Sequence, residues 1–204
     1  MVVSTNLLKE EYKDYKQPLH KIKRLIKDGK LFPIVKGLYE TDRNVNPLFL
    51  AIRICRPSYI SFESALSYYG MIPEAVYSIT SATFKKKKTK EYHTLFGNYI
   101  YRDVCPKAYP YGIELKMYKD YTWHIATKEK ALCDQVSKAY PITSMKAMEE
   151  YLFKYMRIYE DTLLDIELDD IRILSEKYKS KNVEYLYKYL RRYLNEKHTK
   201  TNDW

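Results

Sequence analysis

Glycine is scarce, with five residues in a chain of 204. Neither a GxGxxG nor a GxxxxGK(S/T) stretch occurs, which excludes the familiar glycine-rich loops that cradle nucleotide phosphates. Cysteine is nearly as rare. Cys55, Cys105 and Cys133 are odd in number, far apart and without a CxxC pair, and His20, His93, His124 and His198 show no metal-ligand spacing. The thiols therefore read as reduced and idle, and neither a metal nor a cofactor is expected. Long apolar runs are missing as well. Nothing approaches the ~20 residues of a membrane span, and the stretch from Met1 to Tyr12 lacks the apolar region of a signal peptide. The expected location is the cytoplasm, with no membrane partner.

What is present is a real core composition, 46% hydrophobic, inside a strongly basic chain of net charge +10. Lysine and arginine release counterions from a phosphate backbone, so the excess favours polyanion partners. The order of patterns suits an α+β fold. Asn6 caps an expected first helix carrying Leu7, Leu8, Tyr12 and Tyr15. Pro18 opens a second, where its missing N–H costs nothing, and Asp28-Gly29 closes it. Two short strands, Leu31 to Ile34 and Leu38-Tyr39, join around Lys36-Gly37. A change of pattern follows at Asn46, which divides the chain into an expected N-terminal unit (1–43) and a larger α+β region (44–204). The latter has an expected helix from Leu48 to Cys55 and another capped by Ser61 and closed by Gly70. Strands are expected at Val76 to Ala82, Leu95 to Val104, Ile113 to Met117 and Tyr121 to Ile125. Helices capped by Thr127 and Ser144 follow, then an acidic loop from Asp161 to Asp170. The last helix buries Val183, Leu186, Tyr187, Leu190 and Leu194 on one face.

The second helix divides its residues by charge. Leu19, Ile22, Leu25 and Ile26 fall on one side at ~100° per residue, and His20, Lys21, Lys23, Arg24 and Lys27 on the other. A helix so built fits the major groove of duplex DNA. Lys30 and Lys36 bracket the following hairpin, where a wing would touch phosphate. Helix, helix and hairpin in about forty residues match a pared-down winged helix-turn-helix. Arg24 is the candidate base reader, because its guanidinium can make two hydrogen bonds to guanine. The lysines suit phosphate, which positions a protein without specifying sequence.

Leu25-Ile26-Lys27-Asp28-Gly29-Lys30-Leu31 followed by Val35-Lys36-Gly37-Leu38-Tyr39 resembles the end of the winged helix in AbiEi-type antitoxins. Two more stretches resemble the family in the same order: Ile60-Ser61-Phe62-Glu63-Ser64-Ala65-Leu66 with Tyr69-Gly70-Met71, and Ile125-Ala126-Thr127-Lys128-Glu129-Lys130-Ala131-Leu132-Cys133-Asp134. The resemblance implies a non-enzymatic antitoxin of an abortive-infection pair. Such a protein binds its own promoter as double-stranded DNA, represses the operon, and counteracts a nucleotidyltransferase-like toxin. The segment before Lys21 is short for the family, which implies a reduced DNA-binding unit.

Other clusters carry alternatives. Lys85, Lys86, Lys87, Lys88 and Lys90 lie between two strands and read either as a solvated loop or as a second nucleic-acid patch with Tyr92, Tyr99 and Tyr101 as stacking partners. Asp103 with Glu114 and Lys116 resembles a PD-(D/E)xK nuclease pattern, in which carboxylates hold Mg²⁺ and lysine orients water. Asp161, Asp165, Glu167, Asp169 and Asp170 fit no EF-hand spacing. His124 and Cys133 form no recognisable catalytic pair.

Overall fold

The computed structural model describes residues 1–201. A three-residue strand, β1 (Val2–Ser4), opens the chain and determines where the first helix begins. Ser4 pairs with Leu38 and keeps an extended backbone, so its side chain accepts from the Leu7 amide at 3.2 Å and caps α1 (Thr5–Glu11). The expected cap, Asn6, lies inside the helix. Only Leu8 of α1 is buried, and Leu7 and Tyr15 are exposed. Helix α2 (Pro18–Lys27) begins at Pro18 as the sequence indicates. It ends in a Schellman arrangement: Lys30 N–H donates to Leu25 O (2.9 Å) and Gly29 N–H to Ile26 O (3.1 Å). Gly29 sits at φ +66°, where a side chain would be strained.

The hairpin β2 (Phe32–Val35) and β3 (Leu38–Glu40) completes an antiparallel sheet in the order β1-β3-β2. Val3, Leu8, Ile22 and Leu31 form a small apolar cluster against which Tyr12, Leu25, Ile26 and Tyr39 pack. Leu19, expected on the buried face, is instead 49% exposed. The hairpin belongs to both parts of the chain. Its Ile34 is buried in the main core, and Val2, Val35 and Leu38 pack on that core. Tyr121 Oη donates to Asp42 Oδ2 at 2.7 Å, and the Arg43 guanidinium lies over both Phe32 and Phe96.

The larger region is a six-stranded mixed sheet in the order β6-β7-β5-β4-β9-β8. Helix α3 (Pro47–Ile54) is capped by the Asn46 side chain, which accepts from Leu48 N–H at 2.9 Å. Then come β4 (Tyr59–Ile60), α4 (Phe62–Tyr68), β5 (Ser78–Thr83), β6 (Lys90–Thr94), β7 (Gly97–Asp103), β8 (Ile113–Tyr118) and β9 (Tyr121–Ala126). The strands β5 and β7 pair in parallel, as do β4 and β9, and the remaining neighbours are antiparallel. The expected strand from Leu95 to Val104 starts two residues late, because Leu95 and Phe96 form the turn joining β6 to β7. Strands β1, β4 and β6 have no counterpart in the sequence reading. Each is short or lacks apolar alternation.

Helix α5 (Lys128–Ser137) is capped by Thr127, whose hydroxyl accepts from Lys130 N–H at 3.2 Å. Helix α6 (Met145–Glu150) continues into a π-helical segment, Tyr151–Tyr155. Three helices close the fold: α7 (Glu160–Leu164), α8 (Leu168–Tyr178) and α9 (Lys181–Thr201). The stretch expected as an acidic loop is thus largely helical. Glu160 and Asp161 occupy the first turn of α7, and Asp169 and Asp170 that of α8, where carboxylates complement the partial positive charge of the helix start. Among the described residues no helix is long and apolar enough to cross a membrane.

Candidate nucleic-acid interface

Helix α2 has ten residues and spans about 15 Å at ~1.5 Å per residue. Its exposed cations and histidine fall at positions 20, 23, 24 and 27, the i, i+3, i+4, i+7 pattern that lines one helical face. Ile22 anchors the opposite face in the small cluster, with Leu25 and Ile26 beside it. The helix therefore presents His20, Lys23, Arg24 and Lys27 together. Lys21 is drawn aside. Its ammonium lies 5.1 Å from the centre of the Tyr15 ring and 5.9 Å from that of Tyr12, within cation–π range. Arg24 approaches Asp28 Oδ2 at 3.7 Å but stays 78% exposed, and an exposed pair of this length is weak. Leu19 stands in the first turn of the same helix.

Lys30 and Lys36 are both exposed, one directly after α2 and the other at the hairpin tip. The tip is fixed to the helices, because Thr5 N–H donates to Gly37 O at 2.9 Å. Among the described residues, Lys23, Lys27, Lys30 and Lys36 have no ion pair.

The second lysine cluster is an ordered loop. The Asp103 carboxylate accepts from the backbone amides of Lys86 and Lys87, each at 2.7 Å, and Lys86 Nζ donates to Arg56 O at 2.9 Å. Lys85, Lys87 and Lys88 are exposed, and Lys90 is half-buried on β6. The tyrosines expected to stack there are not free to do so. Tyr99 and Tyr101 are fully buried, donating to Pro47 O and Ala51 O, and Tyr92 packs against Tyr101. Their alternation along β7 aims both into the core.

The nuclease-like trio is not assembled. Asp103 ends β7, whereas Glu114 and Lys116 lie on β8 with β5, β4 and β9 between, four strand spacings or roughly 19 Å away at ~4.8 Å each. Glu114 and Lys116 pair with each other at 2.5 Å, and Tyr69 Oη donates to Glu114. Among the described residues no group of three His, Cys, Asp or Glu side chains is placed to hold a metal ion. The side chain of His198 lies outside the described residues.

A buried polar network went unnoticed in the sequence. Helix α5 has no polar face: Glu129, Lys130, Ala131, Leu132, Cys133, Asp134 and Val136 are all buried. Lys130 Nζ donates to Ala108 O (2.8 Å) and Tyr178 Oη (2.7 Å) and lies 3.4 Å from Asp134 Oδ1. Asp134 accepts in turn from Tyr59 Oη (2.9 Å), Ser61 Oγ (2.5 Å) and Tyr178 Oη. Ser61 begins α4, but its hydroxyl is committed to Asp134 and caps nothing. Burial pushes the Lys130 ammonium below the usual lysine range, opposed by Asp134, and drives the Tyr59 and Tyr178 phenols well above theirs. Burial likewise holds Cys133 protonated. The signal was available: Lys130 and Asp134 are four apart around Ala131-Leu132-Cys133, the spacing that pairs side chains on a helix. The network joins α4, α5, α8 and β4 and is buried, with Lys130 and Asp134 fully so, and it holds the fold.

No protein-family model matches the chain, and no curated protein matches it.

Proposed function

We propose that the protein is a DNA-binding regulator of the AbiEi antitoxin kind, without enzymatic activity, acting in the cytoplasm. In this reading residues 1–43 work as a pared-down winged helix-turn-helix. Helix α2 enters the major groove, and the β2–β3 hairpin touches phosphate as a wing. Lys23, Lys27, Lys30 and Lys36 meet phosphate oxygens. Arg24 leaves its weak contact with Asp28 to read a guanine edge, and the exposed Leu19 is available to a thymine methyl group. Of the two, Leu19 lies in the first turn of α2, where the base contacts of a recognition helix concentrate, and Arg24 lies in the last turn. The bound duplex is the protein's own promoter. Residues 44–204 counteract a nucleotidyltransferase-like toxin.

The observation that carries this reading is the exposed stripe of His20, Lys23, Arg24 and Lys27, on a helix anchored from behind by Ile22 and followed directly by a hairpin. A charge reversal that leaves the anchor untouched tests it. Lys23→Glu, Arg24→Glu and Lys27→Glu together are expected to abolish repression of a promoter reporter, with circular dichroism and melting close to those of the parent. Protection from the partner toxin should persist in the same cells. A folded variant that still represses would overturn the DNA-binding reading. One that loses protection as well would overturn the division of labour.

A further inference from the structure

A cleft of about 1030 Å³ opens on a different part of the molecule, between the Lys86–Lys88 loop, the end of α5 and the α6–π segment. Its aromatic groups are held ready. The buried Asn182 side chain fixes the loop after α5 through four hydrogen bonds: its amide nitrogen donates to the carbonyls of Val136, Ala139 and Tyr140, and its oxygen accepts from Ile142 N–H. The backbone at Tyr140 is thereby locked, yet its ring is 93% exposed. Across the cleft, Tyr151 and Tyr155 stack at 5.5 Å with an interplanar angle of 15°, and Tyr155 is 78% exposed. Both belong to the π-helical segment, which closes with Met156 N–H donating to Tyr151 O. Such widened turns are frequent at functional sites.

The charge of the cleft has one sign in excess. Five cations line it against two carboxylates, Asp103 and Glu150. Asp103 Oδ2 is occupied by the backbone amides of Lys86 and Lys87 while its buried Oδ1 has no hydrogen-bond partner among the described residues, Glu150 pairs with Lys154, and Arg102 is held by Glu63. Lys87, Lys88 and Lys138 are exposed and have no ion pair among the described residues.

Unpaired lysines beside open aromatic rings match the chemistry of single-stranded nucleic acid, where phosphates meet the cations and free bases stack on the rings. A duplex keeps its bases stacked inside and offers the tyrosines nothing. From this juxtaposition of Tyr140, the Tyr151–Tyr155 stack and three unpaired lysines, we infer that the cleft binds an unpaired stretch of polynucleotide. This site is independent of the proposed duplex contact at α2. RNA and DNA share the recognised chemistry, and their separate titrations name the source.

The test is fluorescence anisotropy on the full chain, with short single-stranded RNA and DNA of one mixed sequence and the same DNA as a duplex. The single strands should bind. Tyr140→Ala and Tyr155→Ala should each weaken them roughly 5- to 100-fold, as expected for loss of one base–aromatic stack, and Tyr155→Phe should restore binding. Lys87→Ala with Lys88→Ala should flatten the log–log salt slope by about 1.4, at ~0.7 per phosphate. The α2 charge reversal should leave the fold-loss caused by Tyr155→Ala on single strands unchanged, which separates this site from the duplex site. Both tyrosines are exposed, so the alanine variants should melt with the parent. Three results would each overturn the proposal: no binding at about 0.1 mM protein, the weak end of non-specific association; affinity unmoved by both alanine variants; or a Tyr155→Ala effect that vanishes once charge is reversed in α2.

Discussion

Replacing Asp134 by alanine should be among the most damaging single changes in this protein. The residue is fully buried, and so is Lys130 beside it. Its removal leaves the Lys130 ammonium with only Ala108 O and Tyr178 Oη, and takes the acceptor from three hydroxyls, those of Tyr59, Ser61 and Tyr178. Breaking one side of a buried pair costs about 3–5 kcal/mol. In a chain of this size that corresponds to a fall in Tm of roughly 6–20 °C. Lys130→Met should cost less, because Asp134 keeps three hydroxyl donors. The double variant Lys130→Met/Asp134→Ala should be less destabilised than the two single effects together, since no charge is then stranded in the core. Urea unfolding followed by circular dichroism supplies the four free energies of a double-mutant cycle. An Asp134→Ala variant that melts within about 2 °C of the parent, or effects that add to within ~0.5 kcal/mol, the behaviour of independent sites, would show that no buried charge is stranded.

The buried tyrosines fix the alkaline response. Burial raises the phenols of Tyr59, Tyr99, Tyr101 and Tyr178, so above the ordinary value of about 10 the unfolded chain releases protons that the folded chain retains. The contribution of these phenols to stability should be level below about pH 10 and fall above it, and ultraviolet titration should show them ionising only as the chain unfolds; early ionisation of all tyrosines in a folded protein would count against the burial pattern. Asp103→Ala removes the acceptor for two backbone amides of the lysine loop, and trypsin should then cut after Lys85 to Lys88 faster than in the parent, at a cost of about 1–3 kcal/mol to global stability; an unchanged cleavage rate would show that the carboxylate does not order the loop. With Mg²⁺ or Mn²⁺ the protein should cut neither DNA nor RNA; cutting that is lost in both Glu114→Ala and Lys116→Ala would show that β8 carries a nuclease site.

The parts of the fold visible in the sequence are those governed by local rules. Pro18 and Gly29 bound α2, Thr127 and Ser144 cap their helices, and the 3.6-residue period puts Ile22 inside with Lys23 and Arg24 outside. The parts that stayed hidden depend on partners distant in the chain. β1 exists because Glu40, Tyr39 and Leu38 pair with it, and β4 is two residues held between β5 and β9. Leu19 looked buried on a helical wheel, but the short α1 does not cover it. At the candidate interface, the cation stripe of α2 was legible as a period. The attraction of Lys21 to Tyr15 was not, nor was the burial of Tyr99 and Tyr101, which required knowing that β7 lies inside the sheet. The cleft of Tyr140 and Tyr155 unites residues from segments whose meeting depends on Asn182.

The most direct test of the DNA-binding account is the salt dependence of affinity for duplex DNA from upstream of the protein's own gene, measured beside a scrambled duplex. Four unpaired lysines, Lys23, Lys27, Lys30 and Lys36, predict a log–log slope of about −3.6 at ~0.9 per phosphate neutralised. Tighter binding to the upstream duplex should depend on Arg24, and the α2 charge reversal should remove binding to both. Equal affinity for the two duplexes, or a slope unchanged by the charge reversal, would contradict the account.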